Sequence, residues 1–333
     1  MSDSPQPVYA NLTPDVILDA VDSFGLVTSG HFQALNSYEN RVYQVGLDDG
    51  RFVVVKFYRP GRWSDAAILE EHDFAVELVR QEIPVVAPLA NEAGETLCRF
   101  NGFRFAVYPR RGGRWPELEN EENQFWLGRF IGRIHAVGGY GVFQSRQRFS
   151  PTVFGHEPFA WLMESGFIPA ELVHNYRQAA ESVLQLVDAQ FSALPDLRMI
   201  RLHGDCHPGN ILWTDQGPHF VDLDDCMMGP AMQDLWMLLS GDSRQMVIQL
   251  RNILEGYQEF ADFNYGEIRL IETLRSLRLI HYSAWLARRW DDPAFPQHFP
   301  WFNTPRYWEE QLYTLREQVE RLSAPYLDLS TGG

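Results

Sequence analysis

The hydrophobic pattern of the chain changes near residue 110. Before it, the runs of apolar residues are short and rich in β-branched and aromatic side chains, as in HFQAL, RVYQVGL and RFVVVKFY. Asp48-Asp49-Gly50 joins the last two runs and is typical of a hairpin turn. After residue 110, apolar residues recur mostly at helical spacing. The sequence therefore predicts an α+β protein, with a small antiparallel sheet followed by a larger helical part.

The individual elements follow from the same periodicities. Five strands are predicted, three of them within residues 31–58 and two more in IPVVAPL and FRFAVYP. Thr13 is the predicted N-cap of one helix in this part, and Ser64 or Asp65 is the predicted N-cap of a second. The later part is predicted to contain helices near 122–139, 170–192, 231–261, 266–290 and 306–322, with a short hairpin in NILWTDQGPHFVDL. We place a sheet-rich lobe at 1–110 and a helical lobe at 111–333.

Composition limits the partners of the chain. With 28 basic and 44 acidic side chains the formal charge is −16, which disfavours nucleic acid and anionic membrane surfaces. Three cysteines without a CxxC pair predict no disulfide framework and fit a reducing compartment. The first residues lack the basic and apolar regions of a signal peptide. We expect a cytoplasmic monomer.

The segment LHGDCHPGNIL, at 202–212, contains the residues with the clearest chemistry. Asp205 and Asn210 are five positions apart, and a predicted hairpin brings Asp222 of FVDLDD back beside them. Phosphoryl transfer needs one carboxylate that orients the attacking hydroxyl, and oxygen ligands that hold Mg²⁺ on the triphosphate. The spacing predicts Asp205 and Asp222 as catalytic residues, and Asn210 and Asp222 as ligands of Mg²⁺ bound with ATP.

Two other interpretations of this segment stay open. Asp and Asn near glycine often make turns and nothing more. Alternatively, His203, Asp205 and His207 alternate along an extended segment and would form a transition-metal site. That site would leave Asn210 and Asp222 without a role.

Lys56 lies inside the apolar strand RFVVVKFY. A buried ammonium needs a carboxylate or a phosphate, because burying an unpaired charge is costly. In the next helix Glu71 shares the apolar stripe that should face the sheet, so we prefer it to Glu70 as the partner. Such a pair would hold Lys56 against the α- and β-phosphates of ATP. The alternative is a lysine at a strand edge whose ammonium reaches solvent.

Several motifs together resemble one known family. VVVKFY, FAVYP, LHGDCHPGNIL and FVDLDD look like the aminoglycoside-phosphotransferase branch of the protein-kinase-like fold, and especially a bacterial stress-response group within it. The matches run from about residue 12 to 302. The resemblance implies a two-lobed kinase fold and ATP- and Mg²⁺-dependent phosphorylation of Ser or Thr in proteins. It also implies Asp205 as the base and Lys56 as the phosphate anchor.

The chain departs from ordinary protein kinases in one loop. Asn36-Ser37-Tyr38-Glu39-Asn40 stands where a glycine-rich phosphate loop is expected, so the Ser37 hydroxyl would have to substitute for backbone contacts. A plain polar turn is the alternative. Asp234, by the resemblance, accepts backbone N–H bonds that fix the catalytic segment; otherwise it is only an acid in the first turn of a helix. The acceptor is open between a protein and a small amino alcohol or aminoglycoside. A catalytically silent binding module is the remaining alternative.

Overall fold

The computed structural model describes residues 8–330, which form two compact units. The first unit contains the described residues up to Pro116, together with Phe143–Arg146 and Gly209–Cys226. The second contains Glu117–Val142, Gln147–Pro208 and the described residues from Met227 onwards. The hairpin that carries Asn210 and Asp222 thus groups with the sheet, although we had assigned it to the helical lobe. The lobe boundary after residue 110 stays a prediction.

The helices are α1 (Pro14–Ser23), α2 (Asp65–Arg80), α3 (Glu121–Gly138), α4 (Glu157–Ser165), α5 (Val173–Ser192), α6 (Ser243–Tyr257), α7 (Leu270–Arg288), α8 (Ala294–His298) and α9 (Pro305–Ser323). The strands are β1 (Thr28–Ala34), β2 (Arg41–Leu47), β3 (Phe52–Phe57), β4 (Cys98–Phe100), β5 (Phe103–Pro109), β6 (Ile200–Leu202), β7 (Ile211–Thr214), β8 (Gly217–Phe220) and β9 (Met227–Gly229). Thr13 caps α1 as predicted, and of the two candidates Ser64, not Asp65, caps α2; each accepts a bond from a backbone N–H of the first turn.

The first unit is built on an antiparallel sheet of five strands in the order β1-β2-β3-β5-β4. Successive side chains of β3 point to opposite faces of the sheet. Val55 and Phe57 belong to the core cluster that includes residues of α1. The other face carries Lys56 and Tyr58, and Tyr58 packs against Ile68 of α2. Lys56 is therefore held on the face that α2 covers.

The predicted strand count is correct, but one predicted strand is wrong. IPVVAPL forms no strand: Val85 makes a single bridge to Phe220, and Pro84 and Pro88 have no N–H with which to continue a ladder. The fifth strand is instead β4, which pairs with β5. The α+β class and the antiparallel five-stranded sheet are confirmed.

The second unit is mainly helical, and α3 and α6 cross at glycines. A Cβ atom on Gly128 would lie 1.9 Å from the carbonyl oxygen of Ile253, and one on Gly256 would lie 2.1 Å from that of Phe125. No larger residue fits such a close backbone approach. The crossing brings His135 of α3 to Tyr257 of α6, and their Nδ1 and hydroxyl atoms are 3.0 Å apart.

The predicted helix over 231–261 is wrong in its first half. Short 3₁₀ turns occupy Ala231–Asp234 and Trp236–Leu238, and α6 begins only at Ser243. Asp242 and Gln245 form a capping box there, which fixes this start. Helices α3, α5, α7 and α9 confirm the other predictions for the later part, whereas α4 and α8 were missed. All three cysteines are free thiols, as expected. Within residues 8–330, no helix combines the length and apolar character needed to span a bilayer.

Candidate active site

A cavity of about 350 Å³ lies within the first unit. Much of its wall is apolar, and polar side chains of Ser37, Lys56, Asn210 and Asp222 also line it. The lining residues are Leu35, Asn36, Ser37, Val42, Val54, Lys56, Glu71, Ala75, Val86, Pro88, Tyr108, Pro109, Arg111, Gly209, Asn210, Leu212, Val221, Asp222 and Leu223. An apolar cleft with a few convergent polar groups is the usual form of a small-molecule site.

Three carboxylates surround the Lys56 ammonium. Its Nζ atom lies 3.2 Å from Glu71 Oε1, 3.1 Å from Asp222 Oδ1 and 3.0 Å from Asp224 Oδ1. The predicted pair with Glu71 is present, and the alternative of a solvent-exposed amine is wrong because Lys56 is only 5% exposed. Burial alone would lower the pKa of Lys56, but Asp224 and Glu71 hold it well above its ordinary value. The amine is therefore charged and fixed.

Two of these carboxylates have opposite pKa shifts. Burial raises the pKa of Glu71 to about 7, and Lys56 offsets only part of that effect. For Asp224, burial would also raise the pKa, but Arg62 and Lys56 hold it well below its usual range. Asp224 is thus the firmly ionised partner of Lys56, and it also accepts a hydrogen bond from Arg62. Sequence reasoning gave Asp224 no such role, because its charge alone did not distinguish it from Asp225.

Asn210 and Asp222 lie at the base of the β7–β8 hairpin. The backbone N–H of Val221 donates to the carbonyl oxygen of Asn210 at 3.0 Å, so the two residues flank the same end of the ladder. Asp222 has φ +60°, in the left-handed region, and its side chain is 51% exposed. An amide and a carboxylate that both line the cavity are hard oxygen donors of the kind that Mg²⁺ prefers. The donor set therefore fits a magnesium ion.

Asp205 belongs to the second unit, in the loop after β6. Asp234 fixes this loop by accepting hydrogen bonds from the backbone N–H groups of His203 and Gly204, both at 2.8 Å. Its Oδ2 also lies 3.0 Å from Nε2 of His135. The anchoring role of Asp234 is therefore present, and His135 supports that residue from the helix crossing.

Arg278 of α7 pairs directly with Asp205. Its guanidinium donates to Asp205 Oδ1 at 2.7 Å, and His207 Nε2 lies 3.5 Å from Oδ2. Burial would raise the pKa of Asp205, but Arg278 and His207 lower it below the ordinary value. Sequence reasoning missed Arg278, since it lies 73 residues downstream within an ordinary helical pattern.

Ser37 lies in the loop between β1 and β2, as expected, and lines the cavity. Its hydroxyl donates to the carbonyl oxygen of Asn40 at 3.2 Å, a contact that either a polar turn or a phosphate loop would make. The structure does not support the transition-metal site considered for His203, Asp205 and His207. Across residues 8–330 there is no group of three His, Cys, Asp or Glu residues placed to hold a metal ion.

Comparison with known proteins identifies the family of the chain. The model of the phosphotransferase enzyme family matches residues 31–271, and the chain belongs to that family. It is a kinase, with the protein-kinase-like fold that the resemblance implied. Among its relatives, it is 46% identical to Stress response kinase A of Escherichia coli K12, over 97% of both chains. It is 45% identical to the Salmonella typhimurium "Serine/threonine protein kinase RdoA", again over 97% of both.

Solved structures share the fold at low sequence identity. An amicoumacin kinase in complex with AMP-PNP, Ca²⁺ and "Ami" superposes with a TM-score of 0.71 at 20% identity, covering 95% of this chain and 96% of that one. A microcompartment-associated aminopropanol kinase gives a TM-score of 0.69 at 16% identity, with 94% and 99% covered. At these identities the likeness extends to the fold only.

Proposed function

We propose that this kinase transfers the γ-phosphate of ATP, with Mg²⁺, to a Ser or Thr hydroxyl of a protein. One observation carries the nucleotide part of the proposal. A fixed ammonium and two hard oxygen donors, from Lys56, Asn210 and Asp222, line the same mainly apolar cavity. That combination suits a planar base with a triphosphate attached.

The roles of the cavity residues follow from their chemistry. Lys56 would bind the α- and β-phosphates, with Glu71 holding its ammonium in place. Ser37 would contribute its hydroxyl to the phosphates, and the adenine would lie near Tyr108 and Pro109. Asn210 and Asp222 would hold Mg²⁺, which offsets the charge on the phosphoryl oxygens.

Asp205 would align the acceptor hydroxyl and take its proton. Its lowered pKa keeps the carboxylate ionised at neutral pH, as a base requires. The anchors from Asp234 hold the backbone just before it, so little reorganisation is needed when the acceptor binds.

A protein acceptor is favoured over a cationic amino alcohol. The two relatives at 45–46% identity carry kinase names, and one is called a serine/threonine protein kinase. In addition, the Arg278 guanidinium touches the carboxylate of the proposed base and would repel an ammonium close to the acceptor hydroxyl. The name Stress response kinase A, carried by the relative at 46% identity, also supports a role in the stress response. We place the enzyme in the cytoplasm, where ATP is abundant and free thiols persist.

Two variants test the assignment together. Asp205→Ala should abolish transfer of labelled γ-phosphate while nucleotide binding persists, and Asp222→Ala should weaken Mg·ATP binding itself. The exposed Asp196→Ala is the matched control. Acceptor panels of generic Ser/Thr proteins and of small amino alcohols separate the two substrate classes. Transfer by Asp205→Ala at the wild-type rate would refute the assignment of the base.

A further inference from the structure

The segment Phe143–Arg146, which belongs to neither a helix nor a strand, packs with the first unit against α2. Glu70 accepts hydrogen bonds from three consecutive backbone N–H groups of this segment, at 2.6 Å from Gln144, 2.9 Å from Ser145 and 3.1 Å from Arg146. A carboxylate that binds several backbone N–H groups is held firmly, because the charge strengthens each bond. The segment is thereby tied to the residue next to Glu71.

The Arg146 side chain extends this connection to the loop after Asp222. It is only 6% exposed, and its guanidinium donates to the carbonyl oxygens of Asp224 and, at 2.9 Å, Cys226. It also donates to the carbonyl oxygen of Ala67 in α2 at 3.5 Å. A single buried cation therefore bonds both α2 and the loop that Asp222 begins.

Aromatic contacts leave the guanidinium little freedom. Its carbon atom lies 4.1 Å from the centre of the Trp63 ring, which precedes α2. At the other end of the segment, Phe143 packs edge-on against Phe74 of α2, with ring centres 5.5 Å apart. The segment is thus fixed along its length, and we call Phe143–Arg146 the strap.

We infer that Glu70 and Arg146 are positioning residues, which use the strap to hold α2 and the 222–226 loop so that Glu71 and Asp222 meet Lys56 before the nucleotide binds. Neither residue lines the cavity. They act through Glu71, Asp222 and Asp224, whose carboxylates lie within 3.2 Å of the Lys56 amine. The inference rests on the proposed nucleotide site.

The test measures binding of Mg·AMP-PNP by calorimetry, with the melting temperature of each variant measured in parallel. Arg146→Met should weaken binding by about tenfold or more, because charged hydrogen bonds to both elements are lost. Arg146→Lys should recover part of that loss, since an ammonium can still reach one carbonyl oxygen. Glu70→Ala should act like Arg146→Met, and Glu70→Gln should fall between. Asp73→Ala, at an exposed position of α2, should leave binding unchanged.

A double-mutant cycle separates positioning from general stability. If Arg146 acts through Glu71, then Glu71→Gln should weaken binding much less in the Arg146→Met background than in the wild type. The inference would be overturned if the fold-losses of affinity from Arg146→Met and Glu71→Gln simply multiplied in the double variant. It would also be overturned if Arg146→Met bound Mg·AMP-PNP as tightly as the wild type. Should Arg146→Met fail to fold, Glu70→Ala takes its place in the same cycle. A wild-type protein that binds no Mg·AMP-PNP would instead refute the proposed function, and this inference with it.

Discussion

Glu267 is a buried carboxyl that supports the turn carrying Asp234. It is 2% exposed, and it accepts hydrogen bonds from the backbone N–H groups of Met232, at 3.0 Å, and Ala231. Burial raises its pKa to about 7, although these two hydrogen bonds act in the opposite direction. The replacement Glu267→Gln keeps one acceptor oxygen but cannot ionise.

The sign and size of the effect follow from linkage. Below the ordinary glutamate pKa of about 4.5 both folded and unfolded chains hold the proton, so ionisation costs nothing. Between that pH and about 7, only the folded chain holds it, and stability falls by about 1.4 kcal/mol per pH unit. The contribution lost by pH 8 is therefore about 3 kcal/mol. Glu267→Gln should gain that amount relative to the wild type as pH rises.

Urea unfolding at pH 5, 6, 7 and 8 measures this difference directly. The exposed Glu181→Gln serves as control, because it changes the net charge equally without burial. We expect the stability of Glu267→Gln, minus that of the wild type, to rise steeply up to pH 7 and then level off. A difference that stays constant over this range would show that Glu267 is not ionising within the folded chain, and would refute the reasoning.

Three further predictions concern the second unit. Arg278→Ala should raise the pKa of Asp205, so the acid limb of the pH dependence of kcat should move to higher pH. An acid limb at the wild-type pH would contradict the role of Arg278 in lowering that pKa. Gly128→Ala should lower the free energy of unfolding by about 3 kcal/mol or more, because its Cβ would collide with the Ile253 carbonyl oxygen. The control Gly112→Ala should leave stability unchanged, since its Cβ would have no atom within 4 Å. Thermal unfolding of both variants measures the difference. Asp234→Ala leaves the N–H groups of His203 and Gly204 without their acceptor, so the initial rate of phosphate transfer should fall about tenfold or more. The affinity for Mg·AMP-PNP should stay unchanged. A parallel loss of rate and affinity would contradict an effect confined to the loop that carries Asp205.

Local sequence patterns predicted which helices and strands exist better than they predicted where these begin and end. The hairpin turn at Asp48-Asp49-Gly50 and the caps Thr13 and Ser64 are determined by neighbouring residues, and the structure contains all of them. IPVVAPL has the composition of a strand, but two prolines decide its conformation. The helix predicted from 231 onwards failed because a buried glutamate, Glu267, and the capping box at Asp242 impose turns there.

The residues of the candidate site also fall into two groups, those predicted from local sequence patterns and those that were not. Lys56, Asn210 and Asp222 could be found from spacing, since each follows from strand and hairpin periodicity, and the choice of Glu71 over Glu70 followed from a helical stripe. Arg278 and Arg146 could not be found. Each meets its partner through tertiary packing between segments more than 70 residues apart, and neither belongs to a motif that a single sequence would reveal.

The three carboxylates around Lys56 affect which anionic ligands the cavity can bind. With Glu71 ionised, Glu71, Asp222 and Asp224 place three negative charges within 3.2 Å of one ammonium. In the proposed nucleotide site, these carboxylates would repel a metal-free triphosphate close to the Lys56 amine. If the proposed function holds, these carboxylates should favour a nucleotide that carries its counterion over the free nucleotide.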